Sequence, residues 1–222
     1  MSWLVTYTTQ YREGGRELER AARTMARQMV EVRGLPRNAV HLVKVESKRD
    51  FVDAIASATQ NGEVLDELHF IGHSGMYGPM FRTTAMPEQF SPHEWRTLKI
   101  PFAPWGAAFF HACRTARWFA PFFARTFSVP ASGYHWYTTF STRPDRFVWE
   151  PPLIRNAKDR PLYLIGCRGK KSDGLAGSVM KYTGLVKPEA MKRFEPEPVS
   201  DDPSYDGVAE LYADVFSDIR VR

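Results

Sequence analysis

Two spacings of hydrophobic positions alternate along the first part of the chain. Short runs rich in apolar and β-branched residues, which predict strands, occur at residues 4–8, 39–45 and 65–71. Between the first two runs, apolar residues at steps of three and four predict one face of a helix: Leu18, Ala22, Met25, Met29 and Val32. A second helix is predicted after Ser47, which matches a helix N-cap. Strands that alternate with helices favour a parallel sheet with helices on its faces.

The pattern continues less regularly towards the C-terminus. Residues 76–104 contain many Pro and Gly and predict a long connection, with a short helix near residues 91–98. Residues 107–112 are almost entirely apolar, as is expected of a central parallel strand. Further elements are predicted by the same criteria: a helix over residues 117–128 and strands over residues 134–141 and 161–165.

These elements predict one α/β domain over residues 1–194, a three-layer α/β/α sandwich with a mostly parallel central sheet. The remaining residues, 195–222, differ in composition. Residues 195–203 are acidic and rich in Pro, which predicts a linker. Apolar residues then return at helical spacing and predict a C-terminal amphipathic helix: Val208, Leu211, Tyr212, Val215 and Ile219.

Composition narrows the class of protein. The 222 residues are 43% hydrophobic, which is enough for a core, and the net charge of +5 comes without a dense basic run, so nucleic-acid binding is not favoured. The longest uncharged stretch, residues 100–113, is too short to span a bilayer, and no signal peptide is recognised. Cys113 and Cys167 are the only cysteines and have no zinc-type spacing, so no metal and no cofactor are predicted. The chain is expected to be soluble and cytoplasmic.

Two reactive side chains follow predicted strands. His73 comes after the strand at residues 65–71, and Cys113 comes after the strand at residues 107–112. Ligands bind at the carboxyl ends of parallel strands, and neighbouring strands lie about 4.8 Å apart. If the two strands are neighbours, thiol and imidazole face one cleft, and a Cys–His pair can carry out acyl transfer. A helix beginning soon after Cys113 would stabilise its thiolate, and N–H groups of Cys113 and of the turn at Ser74 and Gly75 could bind an oxyanion.

The motifs HFIGHSG and FFHACRTA resemble those of the caspase-like (clan CD) cysteine peptidases, including the CHAT peptidases. These families carry an apolar strand ending in His-Gly, and then an apolar strand ending in a motif such as Gln-Ala-Cys-Arg-Gly. Cys113 follows His73 by 40 residues, which is similar to the roughly 50 of caspases. The resemblance implies a caspase-like fold, with His73 as the catalytic histidine, Cys113 as the nucleophile, and an oxyanion donor in the turn after His73.

Three alternatives remain open at this point. Cys167 also ends a predicted strand, in LYLIGCRG, and is a less favoured nucleophile. Ser74 lies in GHSGM, which nearly matches the G-x-S-x-G elbow of serine α/β-hydrolases, although an elbow should lead directly into a helix. A non-catalytic caspase-like scaffold that binds partners is the third alternative, since His-Ser-Gly stands where the family usually has His-Gly.

The substrate is predicted to be a protein or peptide, but the sequence does not decide its side-chain preference. His135 is a candidate lining residue of the cleft. Asp145 would favour a basic substrate side chain, whereas Arg143 would favour an acidic one. The acidic segment at residues 195–203 is a candidate site for regulation, through a cut or through a protein partner.

Overall fold

The computed structural model describes residues 1–9, 15–82, 88–143, 160–167 and 187–196. The helices in these ranges are α1 (Gly15–Glu31), α2 (Lys48–Ala58), α3 (Pro92–Thr97) and α4 (Phe119–Phe127). The strands are β1 (Ser2–Tyr7), β2 (Val40–Lys44), β3 (Leu65–Ile71), β4 (Ser74–Gly75), β5 (Gly78–Pro79), β6 (Phe102–His111), β7 (Ala131–Gly133), β8 (Tyr137–Ser141), β9 (Tyr163–Cys167), β10 (Pro188–Glu189) and β11 (Lys192–Phe194). The predicted C-terminal helix lies outside the described residues.

The central sheet has six strands in the order β2-β1-β3-β6-β7-β11. All neighbouring pairs from β2 to β7 are parallel, and β11 runs antiparallel to β7. The remaining strands form a small antiparallel sheet, β10-β9-β8, and the hairpin β4-β5. The predicted α/β class with a mostly parallel sheet is therefore confirmed.

Alternation along the strands divides the core into two clusters. On β1, Val5 and Tyr7 belong to a cluster that includes Leu18 of α1, whereas Leu4 belongs to a second cluster. The second cluster contains residues of α2, α3 and α4 and is rich in aromatic side chains, with Trp95 fully buried. Both clusters lie against β3, so the middle of the sheet, which carries the candidate site, is held on both sides.

Two helices begin at serine N-caps, as their sequences predict. The Ser47 hydroxyl accepts the N–H of Asp50 at 3.0 Å at the start of α2. At α3, Ser91 and Glu94 form a reciprocal capping box. In the described part of the chain, no helix is both long and apolar enough to cross a membrane.

The end of α1 and the start of β6 differ from the sequence predictions. Val32 does not belong to the buried face of α1, because the helix ends at Glu31 and the chain turns through Gly34 (φ +72°); Val32 is 77% exposed. The strand predicted over residues 107–112 begins at Phe102, since a register shift opposite Leu65 accommodates the intervening residues.

The strand predicted over residues 134–141 begins only at Tyr137, as β8, and a separate strand, β7, lies just before the predicted range. Residues 131–133 form β7 in the central sheet, and the chain then leaves it to form β8, which pairs with β9. Three residues are too few for a periodic signal, so β7, like β10 and β11, has no counterpart among the predicted elements. The departure of the chain between β7 and β8 is what brings β8 close to Cys113.

Candidate active site

His73 and Cys113 follow two neighbouring strands at equivalent positions. Strands β3 and β6 are parallel neighbours with Ile71 opposite His111, so each candidate residue lies two positions beyond this pair. The N–H of Gly72 donates to the carbonyl of His111 at 3.3 Å, which extends the pairing past the strand ends. Both candidate residues are half-buried. The two strands are therefore adjacent, as the prediction of a shared cleft requires.

The segment after His73 is tied directly to the segment that carries Cys113. The hydroxyl of Ser74 donates to the backbone carbonyl of Cys113. Ser74 and Gly75 form β4, which pairs with β5, and the side-chain amide of Gln89 donates to the carbonyl of Gly78 at 2.7 Å. These bonds hold the turn with its candidate oxyanion donors, Ser74 and Gly75, beside the cysteine.

The same hairpin bears on the serine-hydrolase alternative. A nucleophile elbow places its serine on a sharp turn that leads into a helix. Here β3 leads into a hairpin, and the hydroxyl of Ser74 is engaged with a backbone carbonyl. The local geometry that a serine nucleophile requires is therefore not found at Ser74.

The segment from Cys113 to Trp118 forms turns, and α4 begins only at Phe119. The condition for a helix N-terminus to stabilise the thiolate, a helix that begins soon after Cys113, is therefore not met, because α4 begins six residues after the cysteine and such effects fall off within one turn. Arg114 has a left-handed conformation (φ 61°), points into solvent, and donates its N–H to the carbonyl of Trp136 at 2.7 Å. The turn thus fastens the cysteine to the segment that precedes β8.

Thr138 of β8 makes two contacts with the Cys113 sulfur. Its backbone N–H donates to Sγ at 3.3 Å, and its hydroxyl oxygen lies 3.3 Å from the same Sγ. Sequence patterns carry no signal for Thr138, because a threonine in a short strand is ordinary and the contact joins residues 25 positions apart. The immediate partners of the thiol therefore come from the small sheet.

Cys167 lies in a different environment from Cys113. Its side chain is 1% exposed, and its S–H donates to the carbonyl of Tyr137 at 3.3 Å. Both cysteines are free thiols. A nucleophile must reach its substrate, so the burial of Cys167 favours Cys113 as the reactive residue.

A chain of hydrogen-bonded polar side chains runs from the buried His111 and His69 to the partly buried Glu67 and the exposed Arg33. Nε2 of His111 lies 3.1 Å from Nδ1 of His69, Nε2 of His69 lies 3.0 Å from a Glu67 carboxylate oxygen, and Arg33 binds both oxygens of Glu67. Burial raises the pKa of Glu67, but hydrogen bonds from His69 and Arg33 outweigh it and lower the pKa to about 2. His111 is thus packed and hydrogen-bonded.

Burial also keeps both histidines of this chain neutral. It lowers the pKa of His69 in spite of the hydrogen bond and charge of Glu67, which act in the opposite direction. Burial, and then the charge of His69, lower the pKa of His111 well below its ordinary value. The chain therefore holds uncharged imidazoles beneath the candidate site at neutral pH.

The residues predicted to line a substrate pocket are only partly placed. His135 is half-buried in the segment before β8, and its carbonyl accepts from Nε of Arg117 at 2.9 Å. Arg143 is exposed just beyond β8, where its N–H donates to the Ser141 hydroxyl at 3.1 Å. Asp145 lies outside the described residues. Among the described residues predicted to line a substrate pocket, His135 is thus the one that is hydrogen-bonded to the turn after Cys113, through Arg117.

Arg117 is a residue of this region that the sequence analysis did not single out. It is only 8% exposed, and its guanidinium lies 4.5 Å from the ring centroid of Trp136. Buried arginines are uncommon, so its burial is informative, but a lone arginine in a predicted helix start carries no signal in the sequence. Its bond to His135 and its stacking on Trp136 fix the wall of the site next to the turn.

An apolar cavity of the described chain lies away from the candidate site. An apolar cavity of about 410 Å³ lies between α2 and the segment that leads into β6, lined among others by Val52, Ile55 and Pro101. It is at the amino end of β6, whereas Cys113 follows the carboxyl end. Among the described residues, no group of three or more His, Cys, Asp or Glu side chains is arranged to hold a metal ion.

The chain was compared with protein-family models, curated proteins and solved structures. No protein-family model, no curated protein and no solved structure matches the chain. The functional argument therefore rests on the geometry of the site.

Proposed function

We propose that the protein is a cysteine endopeptidase with a caspase-like, three-layer α/β/α domain, in which Cys113 is the nucleophile and His73 the proton donor. The observation that carries this proposal is the parallel pairing of β3 and β6, which puts both residues two positions beyond Ile71 and His111. The bond from the Ser74 hydroxyl to the Cys113 carbonyl supports it, because it keeps the two loops together.

The proposed reaction follows the chemistry of a Cys–His pair. The thiolate of Cys113 attacks the carbonyl carbon of a peptide bond, and the carbonyl oxygen becomes an oxyanion. Backbone N–H groups of Cys113 and of the turn at Ser74 and Gly75 would bind this oxyanion. The imidazolium of His73 gives its proton to the leaving amine, and an acyl-enzyme remains. Water then attacks the thioester, the carboxylic acid leaves, and the thiol is restored.

Comparison of single-cysteine variants tests the proposal. Cys113→Ala should abolish cleavage of a mixed peptide library, and His73→Ala should reduce it strongly. Cys167→Ala, which removes the other cysteine from a buried position, is the comparison and should still cleave. Activity that survives in Cys113→Ala and disappears in Cys167→Ala would assign the nucleophile to Cys167.

The same experiment separates the peptidase from the binding-scaffold alternative. A scaffold would show no cleavage in the wild type, whatever the state of Cys113. Since a partner or a cut at residues 195–203 is a further proposed requirement, the wild type should be assayed both as the full chain and as a version that ends near Val199. Cleavage by neither form, together with a Cys113 thiol that resists alkylation across the pH range, would favour the scaffold.

A further inference from the structure

One peptide group of β8 lies between the sulfur atoms of the two cysteines. The Thr138 N–H donates to Sγ of Cys113, with nitrogen and sulfur 3.3 Å apart. The Tyr137 carbonyl accepts from Sγ of Cys167, with sulfur and oxygen also 3.3 Å apart. This N–H and this C=O belong to the same peptide group. The two cysteines are therefore hydrogen-bonded to its opposite ends.

The position of β8 in the small sheet explains this arrangement. β8 is an edge strand, and it pairs on one side with β9, where Tyr137 is opposite Cys167. The carbonyl of Tyr137 is directed towards β9, so the N–H at the other end of the peptide group is directed to the open edge. Edge N–H groups need a partner. Here the partner is the sulfur of Cys113.

We propose that Thr138 and Cys167 are positioning residues that stabilise the thiolate form of Cys113. Thr138 would act directly, through two donors on one residue: its backbone N–H and its hydroxyl. Cys167 would act through the peptide group, because an S–H bond to its carbonyl makes its N–H a stronger donor. This inference rests on the proposed function only in taking Cys113 as the nucleophile.

The physical basis is the different hydrogen-bonding capacity of thiol and thiolate. A thiolate is a charged acceptor, and hydrogen bonds to the charged form of a group favour that form. Either the thiol or the hydroxyl of Thr138 can be the donor in their contact. When Cys113 ionises, its sulfur has no hydrogen left, so the hydroxyl becomes the donor and the thiolate the acceptor. Hydrogen bonds in a chain polarise one another, which gives Cys167 a smaller effect than Thr138.

The proposed contacts account for two features of the structure, the start of α4 at Phe119 and the burial of Cys167 beside β8. α4 begins too late to stabilise a thiolate at Cys113, so the stabilising donors have to come from elsewhere. Cys167 is more deeply buried than Cys113, and its S–H is directed at the peptide group whose N–H reaches the Cys113 sulfur. The small sheet thus supplies what the helix N-terminus does not.

Other charged or titratable groups near the thiol are His73 on the loop after β3, His111 on β6, Arg114 and Arg117 on the turn, and His135 before β8. None of them is changed in the variants below. A difference between variants therefore reports the sulfur contacts of Thr138 and Cys167.

The experiment measures the rate of alkylation of Cys113 by iodoacetamide as a function of pH in the full chain, with mass spectrometry of the labelled peptide. In Thr138→Val the alkylation rate at pH 7 should fall about tenfold and the midpoint of the pH curve should rise, since one bond to a charged group is lost. Thr139→Val is the matched control, because Thr139 is the next residue on the same strand. It should titrate like the wild type.

The second pair of variants isolates the role of the Cys167 donor. Cys167→Ala removes the donor and should lower the alkylation rate about twofold, whereas Cys167→Ser keeps a donor and should restore it. Equal shifts in the alanine and serine variants would overturn the role of Cys167, because a packing effect does not distinguish them. A Thr138→Val variant that titrates like the wild type would overturn the role of Thr138.

The alkylation experiment tests the stabilisation of the thiolate independently of peptide cleavage. Alkylation needs no substrate, so a shifted pH curve in a protein that cleaves no peptide would support the thiolate inference and refute the peptidase. If Thr138→Val fails to fold, Thr138→Ser decides the role of the hydroxyl: an alkylation rate far below that of the wild type in the folded serine variant would overturn it.

Discussion

Nδ1 of His69 lies 3.1 Å from Nε2 of His111, and both imidazole rings are buried in the face of the sheet below the candidate site. Because the Glu67 carboxylate is ionised and accepts from Nε2 of His69, the neutral ring of His69 has Nδ1 as an acceptor. His111 must then donate through Nε2. One carboxylate thus fixes the tautomers of two histidines in sequence.

This pair predicts a pH dependence of stability. The unfolded chain binds a proton at each histidine near the ordinary pKa of 6.5, whereas burial lowers both pKa values in the folded protein. The unfolded state therefore binds more protons below pH 6.5, and the free energy of unfolding should fall as the pH is lowered through this range. Urea unfolding measured between pH 5 and pH 8 would show this slope.

Two variants show whether the slope comes from this pair. The double variant His69→Phe/His111→Phe should lose most of the slope, although its stability at pH 8 is also lower. His93→Gln, at an exposed position on α3, should keep it. An unchanged slope in the double variant would show that the pH dependence arises elsewhere.

A buried hydroxyl holds the strand end that carries Cys113. Thr115 donates to the carbonyls of Phe110 and Ala112, each at 3.1 Å, and accepts the N–H of Tyr134 at 3.2 Å. Thr115→Val should lower the free energy of unfolding by about 1–3 kcal/mol, because it leaves a buried N–H without an acceptor. Thr115→Ser keeps the hydroxyl and should cost less, as denaturant titration of both variants would show. Equal losses would mean that packing of the methyl group, rather than the hydroxyl, stabilises the turn.

The strands that carry His73 and Cys113 could be predicted from the sequence, whereas the side-chain contacts of Cys113 could not. β3 has the predicted bounds, and the placement of His73 and Cys113 at neighbouring strand ends follows from local patterns and the rules of parallel sheets. The contact between Thr138 and Cys113 depends on how a separate small sheet packs beside the central one. Such tertiary packing leaves no periodic signal along the chain.

The late start of α4 also has a local reason that the sequence contains only in part. Proline lacks an N–H, and its ring clashes with the preceding turn of a helix. Pro121 is therefore tolerated in the first turn of α4, but a helix that began much earlier in the chain could not continue through it. The turns from Cys113 to Trp118 are held by Arg114 and Thr115 through bonds to distant residues. The predicted beginning at residue 117 is therefore only two residues early.

Ser74 provides a test that discriminates between two enzyme classes. If Cys113 is the nucleophile, Ser74→Ala removes one bond between the two loops, and peptide cleavage should fall by about tenfold or less, as for loss of a single hydrogen bond. Ser74→Cys would replace the hydroxyl by a weaker donor and should give an intermediate rate. Complete loss of activity in Ser74→Ala, with Cys113→Ala still active, would instead favour a serine hydrolase.

Trp95 connects the aromatic core to the hairpin beside His73. Its ring is fully buried, with Phe90 at 4.7 Å and Phe119 at 5.1 Å between ring centroids, and its Nε1–H donates to the carbonyl of Tyr77 at 3.0 Å. Trp95→Ala should lower the free energy of unfolding by about 3–5 kcal/mol, as is typical of a large buried aromatic residue.

Trp95→Phe separates the packing of this ring from its hydrogen bond. The variant keeps an aromatic ring in the core, but it frees the carbonyl of Tyr77, which lies between β4 and β5. Global stability should therefore fall less than in Trp95→Ala, while amide hydrogen exchange of residues 74–79 should rise relative to β3. Faster exchange there should be accompanied by weaker protection of the Cys113 segment, because Ser74 links the hairpin to it. Uniform exchange changes across the whole sheet would contradict a specific role of Trp95 in holding the hairpin.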